Sequence, residues 1–443
     1  MPASPVDSAI YGKLFGDAEV AALFTDSAEV RAMMLVEGAL AKVQGKLGLI
    51  PEVSAAAIHR ASLELQLDPG GLAASVASNA VPVPGLVAAF RDGMQAPEHA
   101  TWLHWGATSQ DIMDTGLALR LRQALSILDA RIESVAKTLG DLADDNAAQP
   151  MVARTYGQAA VVTSFGAVVA AWGAPLLRHR ARLVSVRNDV ELVSLSGAAG
   201  TLSAMGDKGS EVRSELARAL SLTDPGASWH STRDGIAALS AWMTGLTGSL
   251  AKMGEDLMIL TQSGIGEVTL GSGGGSSTMP QKSNPVAPSA LVAIARQIVG
   301  LNVVIQSALP HKQERDGAAW LSEWLSLSQI VVLTARALSL AEEIAHGLEP
   351  NTEAMEDHIT ETKGLIFAEA VSFALTQSMS RTDAQAVTKA LVARAVEDNL
   401  ALTDVTFEAY PDLETQNIFQ PKEQLGRAPD EARAFAQATR TDN

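Results

Sequence analysis

Five stripes of apolar residues, spaced alternately three and four apart, limit what this chain can fold into more than any other feature. They run from Leu117 to Leu142, Val162 to Val186, Leu239 to Leu260, Ile294 to Ile305 and Leu327 to Leu348. A helix repeats every 3.6 residues, so each stripe marks one face of a long helix. Five such faces with near-heptad seams are best buried against one another. The fold class expected is therefore all-α: a central bundle of five long helices flanked by smaller N- and C-terminal helical domains. Composition agrees, because 47% of the residues are hydrophobic but only 4% aromatic, which leaves Ala, Leu and Val to build the core. His179, inside the second stripe, reads as a core residue before a ligand.

The punctuation suggests domains at 1–110, 111–350 and 351–443. In the first, Ser27 is expected to cap a helix running to Leu47 and stopped by Gly48, with Pro51 opening the next. In the last, shorter helices follow, with Thr382 as the expected cap and Pro411, Pro421 and Pro429 in the tail. A net charge of −17 argues against nucleic acid or an anionic membrane surface as partner. The chain has no cysteine, and its opening MPASPVDSAI lacks a basic region followed by an apolar core. Both fit a cytoplasmic setting. The apolar run Val161–Leu177 is interrupted by Thr163, Ser164, Gly166, Gly173 and Pro175, which suits a buried helix rather than a membrane span.

Polar residues gather just before the bundle helices. The loop Gly271–Pro285 reads GSGGGSSTMPQKSNP: a Gly-rich half, then a dense polar half. Asn284-Pro285 reads as a helix start, so the loop carries hydroxyls and the Lys282 ammonium onto a helix N-terminus, a place suited to an anion. A Gly/Ser linker would have no use for MPQKSNP, and a P-loop would need Gly directly before Lys282. Elsewhere stand His104 with Thr108, Ser109, Gln110 and Asp111, where Ser109 or Asp111 would cap a helix, and Arg154-Thr155-Tyr156-Gly157-Gln158. Weaker groups are His230 with Arg233, and Gln313-Glu314-Arg315. An anionic substrate would need locally concentrated positive groups, for which Lys282, Arg154, Arg233 and Arg315 are the candidates. The eight histidines are scattered and no metal-ligand spacing or dinucleotide fingerprint occurs.

The segment GSSTMPQKSNP resembles the signature of the fumarase/aspartase superfamily, roughly G-S-S-x-M-P-x-K-x-N-P, with every fixed position present. The Thr108-Ser109 region resembles that superfamily's first carboxylate-binding region. Arg154–Gln158 resembles the R-T-H-G-Q of adenylosuccinate lyases, with Tyr156 where those enzymes have a catalytic His. The run from Gln313 through Trp320, Glu323 and Trp324, with Leu14-Phe15 and Gly48-Leu49-Ile50-Pro51, looks more like the bacterial 3-carboxy-cis,cis-muconate cycloisomerases.

The resemblance implies cycloisomerisation of a carboxylated muconate to its lactone, in aromatic-acid breakdown, without a cofactor or metal. The substrate would be a small anionic di- or tricarboxylate. Ser276 is implied as the proton-transfer residue, with Lys282 and Asn284 stabilising the enediolate. His104, Thr108, Ser109, Arg154, Thr155, Gln158, Ser277, Met279, His230 and Arg315 would bind substrate. The implied assembly is a homotetramer with active sites shared between subunits. Helices of about 30 residues are roughly 45 Å long, and an antiparallel order would start the first and fourth at opposite ends. A fumarate-releasing lyase such as adenylosuccinate lyase is the alternative, and a crystallin-like structural protein a third.

Overall fold

The computed structural model describes residues 4–271, 274–275, 279 and 282–441. Five long helices dominate it: Ser109–Asp145, Phe165–Val190, Asp234–Leu260, Val286–Ala308 and Leu327–Gly347. The first seam is buried as its spacing requires, with Leu121, Leu125, Leu128, Ile132, Val135 and Leu139 at 1% exposure or less. The all-α expectation holds. His179 is buried, and its carbonyl accepts the indole N–H of Trp242 at 3.0 Å.

The chain divides into two compact units, Met1–Arg131 with His179–Gly248 and Ala293–Ser339, and Ile132–Arg178 with Ser249–Val292 and Leu340–Asn443. Each of the five long helices gives residues to both.

In the first unit, helix Asp26–Lys46 packs on helix Glu52–Glu64. A Cβ on Gly38 would lie 1.9 Å from Ser62 Oγ, so only glycine permits this approach. Met33, Met34, Leu40, Ile58, Leu86, Phe90, Leu103 and Ile112 form the core around that pair. The cap is Thr25 rather than Ser27: its hydroxyl accepts from Ala28 N at 3.2 Å. A capping oxygen must reach the N–H three residues on, which Thr25 can do from extended backbone.

The second unit contains the main departure from expectation. Val162, placed in the second helical stripe, lies instead in a hairpin of strands Pro150–Thr155 and Gln158–Ser164; the helix starts at Phe165. Tyr156 and Gly157 form the two-residue turn, both at positive φ (52° and 75°), as the tightest hairpin turn demands. The inward residues Val152 and Val162 pack with Ile359, Ile366 and Phe367. A short antiparallel pair, Val268–Leu270 with Leu348–Pro350, ties two further segments. At the C-terminal end Val371, Leu375, Leu391, Leu402 and Val405 make a separate small core. Helix Arg381–Glu397 is capped by Ser380, not Thr382; Ser380 Oγ accepts from Asp383 N and donates to Asp383 Oδ2.

Candidate active site

Most of the first unit's candidate residues meet at the start of helix Ser109–Asp145. Thr108 stands at the cap position rather than Ser109 or Asp111: its carbonyl accepts from Asp111 N at 3.0 Å and its N–H donates to Asp111 Oδ2 at 2.9 Å. The Asp111 carboxylate is fully buried and takes three further donors, Ser196 N at 2.8 Å, Gly197 N at 3.0 Å and His230 Nε2 at 2.9 Å. Four donors saturate a carboxylate, and the helix N-terminus adds favourable potential. His230 is thereby fixed with its proton on Nε2, while its carbonyl accepts from Gln110 Nε2 at 3.0 Å. Its Nδ1 is buried with no partner among the described residues.

Arg315 faces the same group. Its Nε donates to Gln110 Oε1 at 2.8 Å, and Nη2 lies 3.4 Å from Thr108 Oγ1 and 3.3 Å from the Ala198 carbonyl. All three acceptors are neutral, so the Arg315 charge is not compensated by a carboxylate among the described residues. Arg233 is the opposite case. It is buried between Asp114 (2.7 Å) and Glu323 (2.5 Å), which hold its proton far more tightly than usual although burial opposes them. Burial would raise the Glu323 carboxyl, but the paired Arg233, with the His311 ring 3.5 Å away, outweighs that and lowers it. Arg233 therefore braces the fold beneath the site.

His104 sits beside this group on a turn at φ 64°, bonded through Nδ1 to Glu37 Oε1 at 2.6 Å. Ser109, half-buried, opens the helix itself. A cavity of about 640 Å³ in the same unit is lined chiefly by apolar residues, among them Met33, Met113, Leu117, Trp320 and Trp324. Asp114 and Glu323, at its wall, already belong to Arg233, and Thr108, Gln110, His230 and Arg315 do not line it. It is not the place for a carboxylate-rich ligand.

The remaining candidates belong to the second unit. Arg154 makes a two-pronged bond with buried Glu267, 2.8 Å on each side, so its charge is answered within the chain. Thr155 and Gln158 close the hairpin and are exposed; Tyr156, at its tip, is 105% exposed. The ends of the Gly-rich loop pair with each other, Gly274 with Asn284 and Gly275 with Ser283. Ser276 and Ser277 lie outside the described residues. Met279 is exposed, and its carbonyl accepts from Lys282 N at 3.0 Å. Lys282 is exposed and its ammonium has no partner among the described residues. The helix begins at Val286, one residue later than an Asn284 cap would give, with the Pro285 carbonyl accepting from Ser289 N at 3.1 Å. Lys282 and Asn284 line a cavity of about 660 Å³ with Gln262, Asn351, Asp357 and His358. His358 is bonded to the Ile265 carbonyl at 2.8 Å, which raises its proton affinity, and Glu361 adds to this.

Sequence reading passed over Glu37, Glu267 and His358. Glu37 carried one usable signal, a carboxylate inside the otherwise apolar run AMMLVEGALA. Glu267 and His358 carried none.

A bundle of long helices thus carries a half-buried cluster of hydroxyl and cationic groups, Thr108, Ser109 and Arg315, at one helix start. The family model described as lyase matches residues 17–300, and the chain belongs to that family, the fumarase/aspartase superfamily. A 3-carboxy-cis,cis-muconate cycloisomerase of Acinetobacter baylyi is 35% identical over 97% of this chain and 98% of that protein. One of Pseudomonas putida is 37% identical over 86% of this chain and 92% of that one. The solved 3-carboxy-cis,cis-muconate lactonizing enzyme from Pseudomonas putida matches with a TM-score of 0.92 at 32% identity, covering 98% and 99% of the two chains.

Proposed function

We propose that this enzyme is a cycloisomerase converting 3-carboxy-cis,cis-muconate to its carboxymuconolactone in the cytoplasm, within protocatechuate breakdown through the β-ketoadipate route. One carboxylate oxygen adds across the conjugated double bond of its own molecule, and the carbon α to another carboxylate takes a proton. Thr108, Ser109 and Arg315 hold carboxylates, with His104 and His230 beside them. Ser276 transfers the proton, and Lys282 and Asn284 stabilise the enediolate, where charge accumulates in the transition state. Ser277, Met279, Thr155 and Gln158 border the substrate, and Arg154 orders the hairpin that carries the last two.

Tyr156 carries the choice of reaction. Expelling an amine needs a proton donor, whereas a carboxylate, with a pKa of about 4, leaves unaided. A Tyr in R-T-x-G-Q therefore suits lactone chemistry better than adenylosuccinate cleavage. Near-full-length similarity to proteins of the cycloisomerase name supports the same choice. Ultraviolet absorbance with 3-carboxymuconate and with adenylosuccinate tests it. Turnover of the first alone is expected, and robust cleavage of the second would overturn the assignment.

The Thr108 group and the Lys282 loop belong to different units. In our reading neighbouring chains of a homotetramer bring one of each together. Val299 and Val303, 51% and 62% exposed on helix Val286–Ala308, offer apolar surface for such an assembly. Mixing inactive Ser276→Ala with inactive Ser109→Ala should restore part of the activity. A fully active monomer would contradict sharing.

A further inference from the structure

Helix Asp26–Lys46 carries two polar residues on a buried face. Glu37 and Gln44 are seven residues apart, two turns, and each is 1% exposed. Val36, Leu40 and Val43 around them are core. Both polar side chains are spent on one short turn. Gln44 Nε2 donates to the Trp105 carbonyl at 2.7 Å, and Glu37 Oε1 takes His104 Nδ1 at 2.6 Å. From another helix, Arg91 Nη2 donates to the Leu103 carbonyl at 3.0 Å. Three successive residues are thus tethered by side chains from outside the turn. The middle one, His104, has φ 64°, a backbone state that non-glycine residues keep only where the surroundings impose it.

A carboxylate with no exposed surface must be compensated or it does not stay ionised. Glu37 Oε2 is buried without a partner among the described residues, so His104 is its compensation. Burial, acting alone, would lower the proton affinity of His104, and Arg91 works the same way. The charge and hydrogen bond of Glu37, with a smaller contribution from Asp111, outweigh both and raise it. The imidazole keeps 20% of its surface exposed, and its Nε2 has no partner among the described residues.

We propose that Glu37 is a positioning residue that holds His104 doubly protonated, with Nε2–H turned outward as a fixed, charge-assisted donor to a substrate carboxylate. Arg315 supplies a charge that no carboxylate among the described residues compensates; His104 supplies direction, because its bond to Glu37 fixes the ring and leaves one donor. The assignment rests on the cycloisomerase reading only for which carboxylate is bound.

The test separates the two. In histidine-labelled enzyme, with His104→Gln assigning the signal, His104 should titrate above about 6.5, the ordinary histidine value. Glu37→Gln should cut its proton affinity at least tenfold. With 3-carboxymuconate, Glu37→Gln and His104→Gln should each raise KM about tenfold with kcat little changed, the double variant being no worse than either. The alkaline limb of kcat/KM should move to lower pH in Glu37→Gln. Stability follows the same sign: the folded pKa lies above the unfolded one, so the pair stabilises fully below about pH 6.5 and loses this as pH rises through the folded value. A wild-type His104 titrating at or below its ordinary value overturns the proposal, and needs no variant to fold. So does a titration unmoved by Glu37→Gln, or additive kinetic losses. A raised, Glu37-dependent titration in an enzyme inactive on 3-carboxymuconate would sustain the pair and sink the reaction.

Discussion

The start of helix Ser109–Asp145 and the Gly-rich loop before helix Val286–Ala308 are both polar, yet they are built oppositely. The first is assembled inward. Asp111 has four donors and Arg233 two carboxylates, so the backbone around Thr108 is set before any ligand arrives. The second has a two-residue ladder at its base and an exposed Lys282. Water can solvate that ammonium, so nothing forces a partner on it; a buried guanidinium such as Arg233 has no such option. Under the proposed function, the first region binds from a framework fixed by compensated charge and the second reacts from a loop, a division of labour that differential transition-state binding favours.

Removing the brace should produce the largest change. Arg233→Met leaves Asp114 and Glu323 buried without their cation and should cost roughly 3–5 kcal/mol in urea unfolding. A loss under about 1 kcal/mol would mean that the cluster is not held by charge. Next, Ser276→Ala should lower turnover at least about 10²-fold, a typical general-base contribution, with unfolding unchanged. Loss of helicity or assembly in that variant would make the residue structural. Two arginines then sharpen the contrast. Arg315→Lys should raise KM about tenfold with stability nearly intact, whereas Arg154→Lys, which breaks a two-pronged bond, should cost about 1–2 kcal/mol. Equal stability losses in the two would erase the distinction between compensated and uncompensated cations. The smallest effect is expected at the exposed hairpin tip, where Tyr156→Phe should leave cycloisomerase activity within about tenfold, read from initial rates.

The helical stripes were legible because a helix writes its period into neighbouring residues. The same reading failed at Val162, where a strand runs directly into a helix and the apolar residues suit both periods. Tyr156-Gly157 is not one of the Asn-Gly or Asp-Gly pairs that mark a two-residue hairpin turn, so this turn is written in the backbone angles and not in the residue types. The caps at Thr25 and Ser380 were each missed by two residues, a common error where several hydroxyls stand together.

From the sequence alone came the five helices, the loop with its Lys282 and Asn284, and membership of a superfamily, since all three are written in contiguous residues. Which cations could meet an anion was not written there. Arg154, Arg233 and Arg315 are the same letter, and what each meets lies far along the chain: Glu267 is 113 residues from Arg154, Asp114 is 119 from Arg233, and Gln110 is 205 from Arg315. Compensation depends on distance and on exclusion of water, and neither exists until the tertiary structure brings these residues together.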